Sequence, residues 1–139
     1  MVRALRDARE RLRDAAAATH ATATTAVERS GVELSDSCDR LEAFLDDASA
    51  SLSAARTVYD IDRLHDLSGV YRLEISDAKA RHAAATAHSE HTAGALRERT
   101  RQLRSAEKLV ELVDDHLARA ELRSEQRLND DLASSAKKG

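Results

Sequence analysis

Asp60-Ile61-Asp62-Arg63-Leu64-His65-Asp66-Leu67-Ser68-Gly69-Val70 separates two long heptad patterns, and whether the chain turns back there decides the fold. Gly69 is the natural place for a positive φ at a helix end. Asp60, Asp62 and Ser68 are cap or turn residues. The reading is a hairpin tip over residues 60–70, with a short helical turn around Leu64. A single continuous helix is the alternative, since no residue here forbids one.

Upstream, Leu34, Cys38, Leu41, Leu45, Ala48, Leu52, Ala55 and Tyr59 follow alternating steps of four and three, the spacing of an a/d coiled-coil seam. Downstream, a second seam runs Tyr71, Ile75, Ala78, His82, Ala85, Ser89, Thr92, Leu96, Arg99, Leu103, Ala106, Val110, Val113, Leu117 and Ala120. It then slips by one residue to Leu128 and Leu132, as at a stutter. The predicted fold is all-α: one domain over 1–139, a long antiparallel two-helix coiled-coil hairpin. Helix 1 is expected at about 2–59, the tip at about 60–70, helix 2 at about 71–133, and a disordered tail at 134–139. Each arm of about 60 residues would extend roughly 90 Å.

Charge agrees with antiparallel pairing. Residues 28–66 carry ten acids and four bases. With a fold-back near residue 65, position i would lie beside roughly 130 − i. The acidic stretch would then face Arg72, Lys79, Arg81, Arg97, Arg99 and Arg101, and the arginine-rich start would face Asp114, Asp115, Glu121 and Glu125. The Ala/Thr-rich patch from Ala15 to Val27, followed by Ser30-Gly31, is expected to kink or fray, because threonine loses rotamer freedom in a helix and glycine costs about 1 kcal/mol there.

Composition points the same way. There is no proline or tryptophan, and there are four glycines, one Phe and two Tyr. A wide core cannot be filled with so few bulky side chains. Abundant Ala, Leu, Glu and Arg are strong helix formers. A net charge of −3 gives no general drive toward nucleic acid. The single cysteine excludes an intramolecular disulfide and fits a reducing cytoplasm. The Ala15–Ala18 run is too weakly apolar for a signal peptide, and no stretch approaches the roughly 20 apolar residues of a membrane span.

No residue set carries chemistry well. His88 and His91 share a helix face with Glu90 nearby, but zinc needs three or four ligands and nothing completes the set. Asp60, Asp62 and Asp66 open like a calcium loop, yet the sixth position is His65 and the twelfth is Tyr71. Cys38 reads as a buried, inert seam thiol. No glycine-rich phosphate loop and no spaced carboxylate pair is present. The expectation is therefore no catalytic, cofactor or metal site, and no enzyme. Arg97, Arg99, Arg101 and Arg104 read as a solvated face with Glu28 and Glu33 alongside, not as a nucleic-acid site. The amphipathic basic start, with Arg3, Arg6, Arg9, Arg11 and Arg13 around Val2, Leu5, Ala8 and Leu12, suits either a protein partner or an ordinary hairpin arm. The stripe Tyr71, Ile75, Ala78, His82 suits either seam packing or binding.

Two stretches carry a family resemblance. Tyr71-Arg72-Leu73-Glu74-Ile75-Ser76-Asp77-Ala78-Lys79-Ala80-Arg81-His82 is similar to the aromatic, aliphatic, alanine, histidine stripe that opens the second helix of FliJ-like proteins. Ala120-Glu121-Leu122-Arg123-Ser124-Glu125-Gln126-Arg127-Leu128-Asn129-Asp130-Asp131-Leu132-Ala133 resembles their Arg/Glu-rich closing helix. In size and proline-free layout, too, the chain resembles the FliJ/YscO stalk proteins of flagellar and type III export systems, the Hrp-type systems included. The Ala/Thr patch at 15–27 departs from the bulkier first arm of that family.

The resemblance implies a cytoplasmic stalk or escort protein, peripheral to the inner-membrane export apparatus. Its implied partners are the hexameric export ATPase, the export gate membrane protein and substrate chaperones. The ATPase-binding residues would be Arg3, Arg6, Arg9, Arg13, Glu121, Glu125, Arg127 and Leu128. The export-gate-binding residues would be Tyr71, Ile75, Ala78 and His82. The competing readings are a generic coiled-coil scaffold that self-associates and joins two partners, a secreted hairpin of the WXG type, and a membrane-surface amphipathic helix. Direct membrane insertion and nucleic-acid binding are not expected. A seam so rich in alanine predicts marginal stability without a partner.

Overall fold

The computed structural model describes all 139 residues, and two helices account for 96% of them. Helix α1 runs Val2–Ala54 and α2 runs Val58–Lys138, packed against each other with no strands. The fold is the expected all-α helical hairpin.

The turn is not where Gly69 pointed. It occupies Ala55-Arg56-Thr57, and residues 60–70 are helical. A capping box sets this. The Asp60 amide donates to Thr57 Oγ1 at 3.2 Å, and Asp60 Oδ2 accepts from the Thr57 amide at 3.2 Å and the Arg56 amide at 3.3 Å. The Thr57 hydroxyl also donates to Asp60 Oδ2 at 2.9 Å. Ile61, Leu64 and Ser68 extend the spacing of Tyr71 and Ile75 backward without a break, so the 60–70 stretch opens the second seam instead of interrupting it. Gly69 has no positive φ and is exposed within α2. Residues 134–138 are also helical, where a disordered tail was expected.

The Ala/Thr patch is helical throughout. Thr22, Thr24 and Thr25 each donate their hydroxyl to the carbonyl four residues back, at 3.1, 3.0 and 3.1 Å. The hydroxyls thus find partners within the helix, each sharing a carbonyl that the helix ladder also uses, and the helix persists through the patch.

The chain divides into two compact units. One, the tip half, is residues 16–95; the other, the base half, joins residues 1–15 to 96–139. In the tip half, the pairs Arg40–Glu74, Glu33–Arg81 and Ser30–His82 place residue i opposite a residue near 113 − i, not 130 − i. The earlier turn moves every pairing. The α1 seam there is Ala23, Val27, Ser30, Leu34, Ser37, Leu41, Phe44 and Ala48, all buried or half-buried. Cys38, expected inside, is exposed, and so are Leu45 and Leu52. The seam uses Ser37 and Phe44 because they keep phase with Ser30 and Leu34.

The α2 seam follows the expected positions from Tyr71 to Val110. The core is made of small side chains. Ala23, Ala48 and Ala78 are buried in the tip half, and Leu103 and Ala106 in the base half. Small residues at a helix contact let the backbones approach closely, and dispersion between them replaces bulky interdigitation. In the base half α2 has no buried residue after Val110, and Val113, Leu117 and Leu128 stand 40%, 54% and 61% exposed.

Candidate partner-binding surfaces

In the base half Arg3, Arg6, Arg9 and Arg13 of α1 are each engaged separately. Arg3 Nη2 meets Asp114 Oδ1 at 3.1 Å across the two helices, with both side chains largely in solvent. Arg6 pairs with Asp7 at 2.6 Å, and this contact raises the guanidinium pKa further, keeping the charge fixed. Arg9 Nη1 donates to the Gln102 carbonyl at 2.8 Å, a side chain gripping the backbone of the facing helix. Arg13 Nε lies 2.7 Å from Asp14 Oδ1 in an ion pair, without a hydrogen bond between them.

Glu121, Glu125, Arg127 and Leu128 sit farther along α2, all exposed. No hydrogen bond or ion pair joins them to Arg3, Arg6, Arg9 or Arg13. Of the acids expected beside the arginine-rich start, Asp114 alone makes an ion pair with it. Glu121 and Glu125 lie beyond the part of α2 that α1 reaches. Arg101 and Glu98 form a two-pronged pair at 2.9 and 3.0 Å, which lowers the Glu98 pKa, and Gln102 joins it at 2.9 Å. Glu33, expected near these arginines, instead pairs with Arg81 at 3.8 Å.

In the tip half Tyr71, Ile75, Ala78 and His82 lie in the helix–helix seam. The Tyr71 ring lies 4.9 Å from that of Phe44 with a 32° tilt. Ala78 is 1% exposed. His82 Nδ1 lies 2.9 Å from Ser30 Oγ. The Ser30 hydroxyl also reaches the Val27 carbonyl at 2.9 Å; with its proton there, its oxygen accepts from a His82 tautomer protonated on Nδ1. A second clasp repeats this logic: His20 Nδ1 lies 3.0 Å from Thr92 Oγ1, whose hydroxyl donates to the Ser89 carbonyl. Two imidazole–hydroxyl bonds therefore tie the helices together where the seam has few large apolar groups. Tyr71, Ile75 and His82 remain half-exposed, so their rims reach solvent.

Sequence reasoning missed Ser37 and Phe44, the Thr57–Asp60 capping box and both clasps. The signals were present. The T-x-x-D pattern at 57–60 marks a helix start, and the four–three spacing carried from Ala16 through His20, Ala23, Val27, Ser30 and Leu34 reaches Ser37 and Phe44. His88 and His91 are exposed and are joined by no hydrogen bond. No helix is long and apolar enough to cross a membrane.

A family model described as Flagellar FliJ protein matches residues 2–138, nearly the whole chain. No curated protein and no solved structure matches it.

Proposed function

The chain belongs to the FliJ family, and from that premise we propose that it is the cytoplasmic stalk component of a flagellar or type III export apparatus, without enzymatic activity of its own. The observation that carries this reading is the family match over residues 2–138 on a chain that folds as a helical hairpin. The base half would engage the hexameric export ATPase. Arg3, Arg6, Arg9 and Arg13 supply charge on the paired section, and Glu121, Glu125, Arg127 and Leu128 supply contacts on the exposed continuation of α2. The tip half would face the export gate membrane protein. There Tyr71, Ile75, Ala78 and His82 hold the helices together and offer only their rims. Substrate chaperones are further partners of the same kind.

The mechanism is mechanical. A hexameric ring is symmetric, but a helix pair carries no matching symmetry, so its insertion makes the six subunits inequivalent and biases them toward different nucleotide states. The side chains need only bind some subunits differently from others. The test is the hydrolysis rate of the purified export ATPase from the same apparatus, titrated with this protein. Saturable stimulation, weakened in R6E/R9E/R13E, is expected; absence of both binding and rate change would refute the assignment.

A further inference from the structure

The two flanks of the tip-half seam are built differently. On one flank complementary charges bridge the helices: Arg40 meets Glu74 at 3.6 Å, and Arg81 meets Glu33 at 3.8 Å. The other flank has no such bridge. There α1 presents Cys38, Leu45 and Leu52, a seven-residue repeat immediately beside the seam; Leu45 and Leu52 are 47% and 50% exposed. The facing wall on α2 presents Arg72 and Lys79, neither with a carboxylate at ion-pair distance. Between the walls runs an open groove of about 450 Å³, lined by Cys38, Leu41, Arg72, Ile75, Ser76 and Lys79.

A helix in a two-stranded pair needs only two apolar positions per heptad. Three per heptad, in the pattern seen on α1, is the signature of a helix that packs on two neighbours. The surplus repeat of α1 has only one neighbour in this chain. We propose that the groove docks one amphipathic helix of a partner protein as a third strand. Its apolar stripe would lie on Leu41, Leu45 and Ile75, and its flanking carboxylates would face Arg72 and Lys79. The chemistry is set by the walls: a basic helix would meet two unpaired cations, and a polar one would leave the leucines wet. The bridged flank offers no equivalent site, because its charges already satisfy each other. The docking does not depend on the export assignment.

Cys38 lies in the groove and supplies the readout. In the full-length protein its thiol is alkylated with a maleimide in the presence of either of two synthetic four-heptad helices. Both carry leucine at the seam positions; one has glutamate and the other lysine at the flanking positions. The glutamate peptide is expected to slow alkylation saturably, by about fivefold or more, and the lysine peptide to have little effect, since two charge pairs of this exposed kind give discrimination of that order. R72E/K79E should reverse the preference, which also shows that the variant is folded. L45S should weaken protection by the glutamate peptide. Equal protection by both peptides, or protection by neither, would overturn the proposal. So would alkylation that slows with protein concentration alone, alongside a dimer in sedimentation, because a second copy would then fill the groove. R72E/K79E should leave ATPase stimulation unchanged, so failure here and failure of the stalk assignment are separate outcomes.

Discussion

Adjacent positions in α1 should respond very unequally to truncation. Phe44 lies in the seam and stacks on Tyr71 at 4.9 Å, whereas Leu45 points to solvent at 47% exposure. A fully buried Phe→Ala change costs about 3–5 kcal/mol, and Phe44 is half-buried, so about 2 kcal/mol is expected for F44A, the lost ring pair included. For L45A there is no facing side chain and no cavity to open, so the expected cost is about 0.5 kcal/mol or less. In thermal melts followed by far-UV circular dichroism, F44A should lower Tm by about 5 °C and L45A by about 1 °C. The spacing Leu34, Cys38, Leu41, Leu45 taken alone forecasts the reverse order. L45A costing as much as F44A would refute the seam described here and, with it, the exposed groove.

Three further outcomes follow from the geometry. In a double-mutant cycle, H82A and S30A should each destabilise by about 1 kcal/mol, with a coupling of similar size, measured by urea denaturation; additivity would mean that the imidazole–hydroxyl bond is not formed. T57A should cost about 1 kcal/mol of helix capping and fray the first turns of α2 in hydrogen exchange. The same cap gives a pH dependence. Hydrogen bonds from Thr57 and Arg56 lower the Asp60 pKa in the folded state. Its stabilising effect is therefore present above the ordinary carboxylate range and is lost as pH falls through the lowered value; T57A should blunt that loss. Finally, A106L should destabilise by about 1–3 kcal/mol because Ala106 is 0% exposed, while D114N, which breaks a solvent-exposed pair with Arg3, should change stability by less than about 0.5 kcal/mol.

Legibility in the sequence followed how many constraints bear on each residue. The α2 seam from Tyr71 to Val110 was readable because one spacing fits it and no rival does. On α1 two spacings fit equally well from Leu34 onward, one through Cys38 and Leu45, the other through Ser37 and Phe44. Hydrophobicity favours the first at position 38, since a cysteine looks more like core than a serine. The decision is made by phase with distant residues, from His20 through Ser30, whose small or polar side chains carry a weak apolar signal. Gly69 misled for a related reason. A glycine marks a turn only when the chain needs a positive φ or an end there, and the heptad running from Ile61 through Ser68 to Tyr71 needs neither. The turn itself rests on three residues and one capping box, a local feature with no hydrophobic signature.

The same ambiguity in α1 gives it two usable faces. A helix whose sequence supports two seams one residue apart can satisfy one within the hairpin and offer the other outward. The hairpin takes the phase containing Phe44, because that ring stacks on Tyr71 while Ser37 tucks against α2 and hydrogen-bonds the Glu33 carbonyl at 2.9 Å. The alternate phase, Cys38, Leu45 and Leu52, is left on the flank where α2 offers cations and no carboxylate. Had the two phases been interchangeable, the hairpin could slip between them. Slipping would bring Leu45 inward but would expose Phe44 and break the Ser30–His82 bond, so the polar clasp fixes which face stays free. The clasps and the exposed leucines are thus two parts of one arrangement: hydrogen bonds that select the register also determine which apolar stripe remains for another helix.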